Sequence, residues 1–236
     1  MRPATLLPAA LVAVAAAAAF PITLSAGKDD AEPRLASPAA APERSTDWPR
    51  ADRAPARRPA IRWRRSVAHG SPTAGRLVRG VRLPSRGVGF VTWDPNLHRS
   101  PDRASRRWGT DRLVRLLLEI ARKYRRAHPG ARPLLIGDLS RQHGGDFGRR
   151  FGYVWHASHQ NGLDADIYYP RQDRSRRAPR TAADIDRRLS QDLVDRFVRA
   201  GATKVFVGPG TGLSGPPDVV QVIPQHDDHI HIRIAP

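Results

Sequence analysis

Apolar positions recur at helical spacing in two stretches of the chain. Between 110 and 128, Leu113, Val114, Leu117, Leu118, Ile120, Ala121 and Tyr124 fall three or four apart, which lines one face of a helix. Thr110 is suited to N-cap it, and His128-Pro129-Gly130 ends it. A second helix is predicted over about 182–200, with Ile185, Leu189, Leu193, Val194, Phe197 and Val198 on one face and Gly201 as its stop. Elsewhere the apolar runs are short. Leu134-Leu135-Ile136-Gly137 and Lys204-Val205-Phe206-Val207 read as buried strands, 75–93 as turns and short strands, and 208–218 as a Gly/Pro loop. From His229 the pattern alternates strictly. Ile230, Ile232 and Ile234 face one way, and His229, His231 and Arg233 the other. Residues 164–169 alternate too, with Asp164, Asp166 and Tyr168 opposite Ala165, Ile167 and Tyr169. Strands and helices mix without a βαβ repeat. This favours an α+β fold, a small and mostly antiparallel sheet flanked by helices.

The N-terminus belongs to no such pattern. Arg2, an apolar run from Leu6 to Phe20 and the small residues Ser25-Ala26 make residues 1–26 a signal peptide, which implies export to the periplasm or cell wall. The 24 uncharged residues from Pro3 to Ala26 are also long enough to span a bilayer, so an uncleaved segment would be a membrane anchor. Residues 27–68 form a Pro/Ala/Arg-rich linker without apolar periodicity, ending in Arg62, Arg64 and Arg65 around Trp63. The folded domain is therefore 69–236. It contains no cysteine, which excludes disulfides, thiolate-ligated metals and a Cys nucleophile. The net charge is +18, and 37 of the 40 basic residues are Arg. That balance suits an anionic partner. No basic helix or aromatic-interleaved patch stands out, and export argues against a nucleic-acid role.

Histidine placement changes the picture most. Three of the nine His lie within 226–231, where an even spread over 236 residues would put about 0.2. On a strand, residues i and i+2 sit roughly 6.5–7 Å apart on one face, so His229 and His231 can converge on one site. The other cluster runs His156-Ala157-Ser158-His159-Gln160-Asn161-Gly162-Leu163-Asp164-Ala165-Asp166. Gly162 suits a turn that brings His159 back towards a carboxylate. Two imidazoles, one carboxylate and an open position are the ligand set of a catalytic zinc on the sheet face. Strand geometry leaves open whether His229 or His231 binds metal, and whether Asp164 or Asp166 does.

Ser158 to Ile167 and His226-Asp227-Asp228-His229-Ile230-His231 resemble the penicillin-insensitive murein endopeptidases, relatives of the lysostaphin-type and D-Ala-D-Ala metallopeptidases. Ile136-Gly137-Asp138-Leu139-Ser140 and Gly144-Gly145 are similar to the strand and Gly-rich loop that precede the family's first ligand. The resemblance implies zinc on His159, Asp166 and His231, with His229 assisting the water and His226 near the metal. His156 falls where the family has another active-site His, a metal ligand in some descriptions. The implied substrate is the D-alanyl–diaminopimelyl cross-link of peptidoglycan. Tyr153, Trp155, Tyr168 and Tyr169 flank the motif as cleft or packing residues. The segment between Tyr169 and Gly201 is Arg-rich and lacks His, so family ligands for a second metal have no counterpart there. The nearest rival activities are D,D- or L,D-carboxypeptidase, and a noncatalytic cell-wall-binding module is the rival outside enzymes.

Overall fold

The computed structural model describes residues 60–148 and 156–236. The signal segment, most of the linker, Tyr153 and Trp155 lie outside them. Strands β1 (Val67–Ser71) and β2 (Ala74–Val78) form a hairpin, so pairing begins just inside the expected linker boundary. Short strands β3 (Val81–Arg82) and β6 (Trp108–Gly109) pair beside it. The main sheet holds β4 (Arg86–Gly87), β5 (Phe90–Thr92), β7 (Leu134–Ile136), β8 (Asp164–Tyr168), β9 (Ala202–Val207), β10 (Val220–Val222) and β11 (His229–Ile234). Its order is β10-β9-β11-β8-β7-β5-β4. Four of its six pairings are antiparallel; β9–β10 and β5–β7 are parallel. The fold is thus mixed and mostly antiparallel, but at seven strands the sheet is not small.

Helix α1 (Asp111–Ala127) lies within the predicted stretch. The Thr110 hydroxyl accepts from the Leu113 N–H at 3.2 Å, which satisfies one of the donors a helix start leaves bare. Its apolar stripe is buried through Leu113, Val114, Leu117, Ile120, Ala121 and Tyr124. The helix carries the chain from β5 to its parallel neighbour β7, a single βαβ crossover where no repeat was expected.

Helix α2 (Arg187–Arg199) starts five residues later than periodicity predicts. Thr181 and Asp184 form a capping box around a 3-10 turn at Ala182–Asp184, and Ile185 is extended. Asp186 then caps α2, accepting from the Leu189 N–H at 3.0 Å. Capping side chains competed with the helix and won at this end. Ile185 still reaches the core, which is why it fits the apolar pattern.

The last strand of the chain occupies the middle of the sheet. β11 pairs antiparallel with both β8 and β9. Its inward residues Ile230 and Ile232 are fully buried, and Ile234 nearly so. Burial of each such side chain is worth about 1.5–3 kcal/mol. They join Ile167, Val205, Leu193, Val194 and Phe197 in one core. That leaves the other face of the central strands for the histidines.

Candidate metal centre

Register decides what shares that face. His231 lies opposite Asp166, His229 opposite Tyr168 and Arg233 opposite Asp164. On the other side His231 faces Phe206 of β9, and the two rings sit 5.3 Å apart. His159 arrives from the turn before β8 with a positive φ of 69° and is fully buried. A β-carbon on a non-glycine residue makes that conformation uncommon, and such strain gathers at functional positions. Gly162 (φ 77°) completes the turn; a Cβ there would come within 2.9 Å of Leu77. The expected turn between His159 and the carboxylates is therefore present, and it needs glycine.

Three imidazole nitrogens surround one carboxylate oxygen. Asp166 Oδ1 is 3.2 Å from His231 Nδ1, 3.3 Å from His159 Nε2 and 3.8 Å from His229 Nε2. The opposite nitrogen of each ring has an acceptor. His159 Nδ1 donates to Leu139 O at 2.5 Å, His231 Nε2 to Asp164 Oδ1 at 2.8 Å and His229 Nδ1 to Asp228 Oδ1 at 2.6 Å. Those acceptors assign the tautomers. In its neutral form each ring then turns a lone pair towards Asp166 Oδ1. Both His159 Nε2 and Asp166 Oδ1 are buried without a hydrogen-bond partner. Acceptors this close, dry and unpaired call for a cation between them. The donor set of imidazoles and carboxylate suits a transition metal. Among the described residues, His156, His159 and Asp166 offer ligand atoms all within 4.8 Å of one another, and His231 adjoins them through Asp166.

The electrostatics are those of a site that holds positive charge: without a metal a proton takes its place, and metal binding has to displace that proton. Burial opposes charge on His231, yet Asp164 and Asp166 outweigh it and push its pKa up to about 9. Burial likewise acts to raise Asp166, but His159 and His229 hold it well below the usual carboxylate range. His229 is raised because Asp166 and Asp228 outweigh its burial, whereas burial lowers His226. His226 stacks beside His229 at 4.7 Å and donates from Nδ1 to Pro224 O. The structure thus brings together all six residues singled out in the two motifs. His69, His98, His128 and His143 take no part; His128 instead bonds Asp192.

The second row of residues was not foreseen. Asp138 Oδ2 lies 2.7 Å from His156 Nε2, which is also 3.7 Å from Asp166 Oδ2. A nitrogen donating to Asp138 has no lone pair to offer a metal, so through that atom His156 can ligate only by releasing Asp138. Asp138 is clamped by both Nε and Nη2 of Arg106, a fully buried arginine whose guanidinium stacks over Phe147 at 4.9 Å. Burial acts to raise Asp138, but Arg106 and His156 keep it ionised. Asp164 does two tasks, accepting from His231 and from Arg233 Nε at 2.7 Å. Asp138 stood in a motif without a role. Arg106, one arginine among 37, carried no signal. Phe206 becomes visible only once β9 is paired with β11.

The sequence pattern of the penicillin-insensitive murein endopeptidases matches residues 68–205. No curated protein gives a significant match. The matched span holds His156, His159, Asp164 and Asp166 and stops before β11, whose histidines reach them only through the sheet register. Since it covers more than half of its residues, this chain belongs to the penicillin-insensitive murein endopeptidase family.

Proposed function

We propose that this chain is a zinc-dependent murein endopeptidase, exported to the cell envelope, that hydrolyses D-alanyl–diaminopimelyl cross-links of peptidoglycan. The observation that carries the metal reading is the buried, unpartnered Asp166 Oδ1 with three imidazole nitrogens within 3.8 Å. His159 through Nε2, Asp166 through Oδ1 and His231 through Nδ1 would hold the ion, with His156 beside them. Bound there, zinc supplies a Lewis acid and lowers the pKa of a water to about 7.

The chain's own residues do the rest. Leu139 O and Asp164 fix the rings of His159 and His231, so neither has to reorganise on binding. His229 Nε2 takes the proton of the attacking water while Nδ1 stays on Asp228. It then delivers that proton to the leaving amine nitrogen, which balances the hydrolysis. His226, with its Nδ1–H spent on Pro224 O, is an acceptor in this tautomer. Donation to the developing oxyanion therefore falls to protonated His229. Aromatic rings pack around these histidines, Tyr168 against Trp93 at 6.4 Å and against His229 at 5.8 Å, and Phe206 against His231 at 5.3 Å. No step acylates a serine, so penicillin has no target.

The test is muropeptide analysis of purified sacculi digested by the protein, with and without a chelator and penicillin. Loss of cross-linked dimers that the chelator abolishes and penicillin leaves alone is the expected result. Shortened stems with intact cross-links would make it a carboxypeptidase. An unchanged muropeptide profile would overturn the enzymatic reading.

A further inference from the structure

A concavity of about 360 Å3 is lined in part by Tyr168, which also lies against His229 of the metal cluster. The α1–β7 connection, the segment after β8 and the first turn of α2 enclose it. Arg132, Arg171, Arg174, Arg177 and Arg188 line it, against one carboxylate, Asp186. Asp186 is already committed to capping α2. Arg171 pairs with Asp173 and Asp184, and Arg132 donates to Arg174 O at 2.8 Å. Among the described residues, no carboxylate pairs with Arg174, Arg177 or Arg188. These three side chains are exposed, and guanidinium groups lining one hollow suit an anion with planar oxygens, which takes bidentate hydrogen bonds from them.

The hollow shares a wall with the catalytic face. Tyr168 lines it and lies against the His229 ring at 5.8 Å. Tyr169 lines it too, and its hydroxyl donates to His226 O at 3.1 Å.

We propose that this pocket is a substrate subsite that recognises a free carboxylate on the peptide stem of peptidoglycan. The proposal rests on the peptidoglycan reading above and adds what selects the substrate. Arg177 and Arg188 are the recognition residues, and Arg174 supports them.

The experiment measures binding without turnover. Full-length protein in excess chelator is titrated calorimetrically with a synthetic stem peptide carrying free carboxylates, and with the same peptide amidated. Wild type should bind the free acid about tenfold more tightly, the worth of one good charge-assisted pair. Arg177→Gln with Arg188→Gln should erase that preference. Arg122→Gln with Arg199→Gln, which lowers net charge equally on exposed helix positions away from the pocket lining, should keep it. Equal affinity of wild type for both peptides, a preference that survives the pocket variant, or one lost equally in the control would overturn the subsite. Cross-link cleavage is scored separately on metal-loaded protein. A preference without cleavage sinks the endopeptidase reading alone, and cleavage without a preference sinks the subsite alone.

Discussion

The site works, at the scale of single residues, because each ring has one nitrogen anchored and one free. Anchored by Asp164 and facing Asp166, His231 has the geometry of a ligand. Its replacement by Ala should remove the metal and the activity together, with metal content read by mass spectrometry. His229 differs in standing 3.8 Å from Asp166 Oδ1, behind the two nearer nitrogens. His229→Ala should keep the metal and lose roughly 10²–10⁴ in rate, the usual contribution of a positioned general base. Metal lost in step with activity would make His229 a ligand instead. Asp164→Asn tests the anchoring. The amide can present NH2 to His231 Nε2 and release the tautomer, so metal affinity should fall about 10–100-fold. A competition titration with a chromophoric chelator reads this, and unchanged affinity would demote Asp164 to packing.

Elements set the distances that those residues need. β11 holds its histidines in place only because Ile230 and Ile232 are buried on its other face. Ile232→Ala should cost about 2–5 kcal/mol, the transfer loss plus the cavity left behind. Denaturant unfolding checks the figure. Because the strand sits between β8 and β9, loosening it should also weaken metal binding, which a core change remote from the site would not do. Conversely, a loss below 1 kcal/mol would mean that the neighbours collapse into the space. The approach of β7 to β8 depends on Gly137, where a Cβ would meet the Tyr168 ring at 3.0 Å. The turn at Gly162 and the crossover through α1 bring β8 and β7 to that contact.

For the whole molecule, the buried charge network links stability to pH. Arg106 is one cation between two carboxylates, clamped on Asp138 and 3.9 Å from Asp102. Burial, then the charge on Asp138, pushes Asp102 up to about 8. A folded-state pKa above the unfolded value of 3.8 means the folded chain holds a proton the unfolded one has released. The stability that this group contributes is therefore complete below about pH 4 and is lost as pH rises through about 8. Asp102→Asn removes this titration and should lessen the fall in stability across that window, leaving the share of His231, whose raised pKa acts in the same direction. Urea midpoints at pH 5 and pH 8 measure it. A wild-type midpoint that does not fall between them, or a variant that falls equally, would assign the slope elsewhere.

What the chain's linear pattern determines by itself is local. Periodicity and caps place α1 and the alternating faces of β8 and β11, because side-chain direction repeats every 3.6 residues in a helix and every two in a strand. Histidine clustering marks the site for the same reason: residues two apart on one strand share a face. The same period is what leaves choices open. Asp164 and Asp166 are equivalent by alternation, as are His229 and His231, and only pairing with a strand some 60 residues away separates them. That register aims Asp166 at the nitrogens and gives Asp164 to Arg233 and the far side of His231. Arg106, Phe206 and the arginine-lined pocket come from segments distant in sequence, where no short-range pattern exists to announce them. The late start of α2 is decided by competition between capping side chains and helix propensity, which periodicity does not weigh. Tertiary structure settles such questions because a contact between remote segments is priced by burial and charge at the point of meeting, and those exist only once the chain has folded.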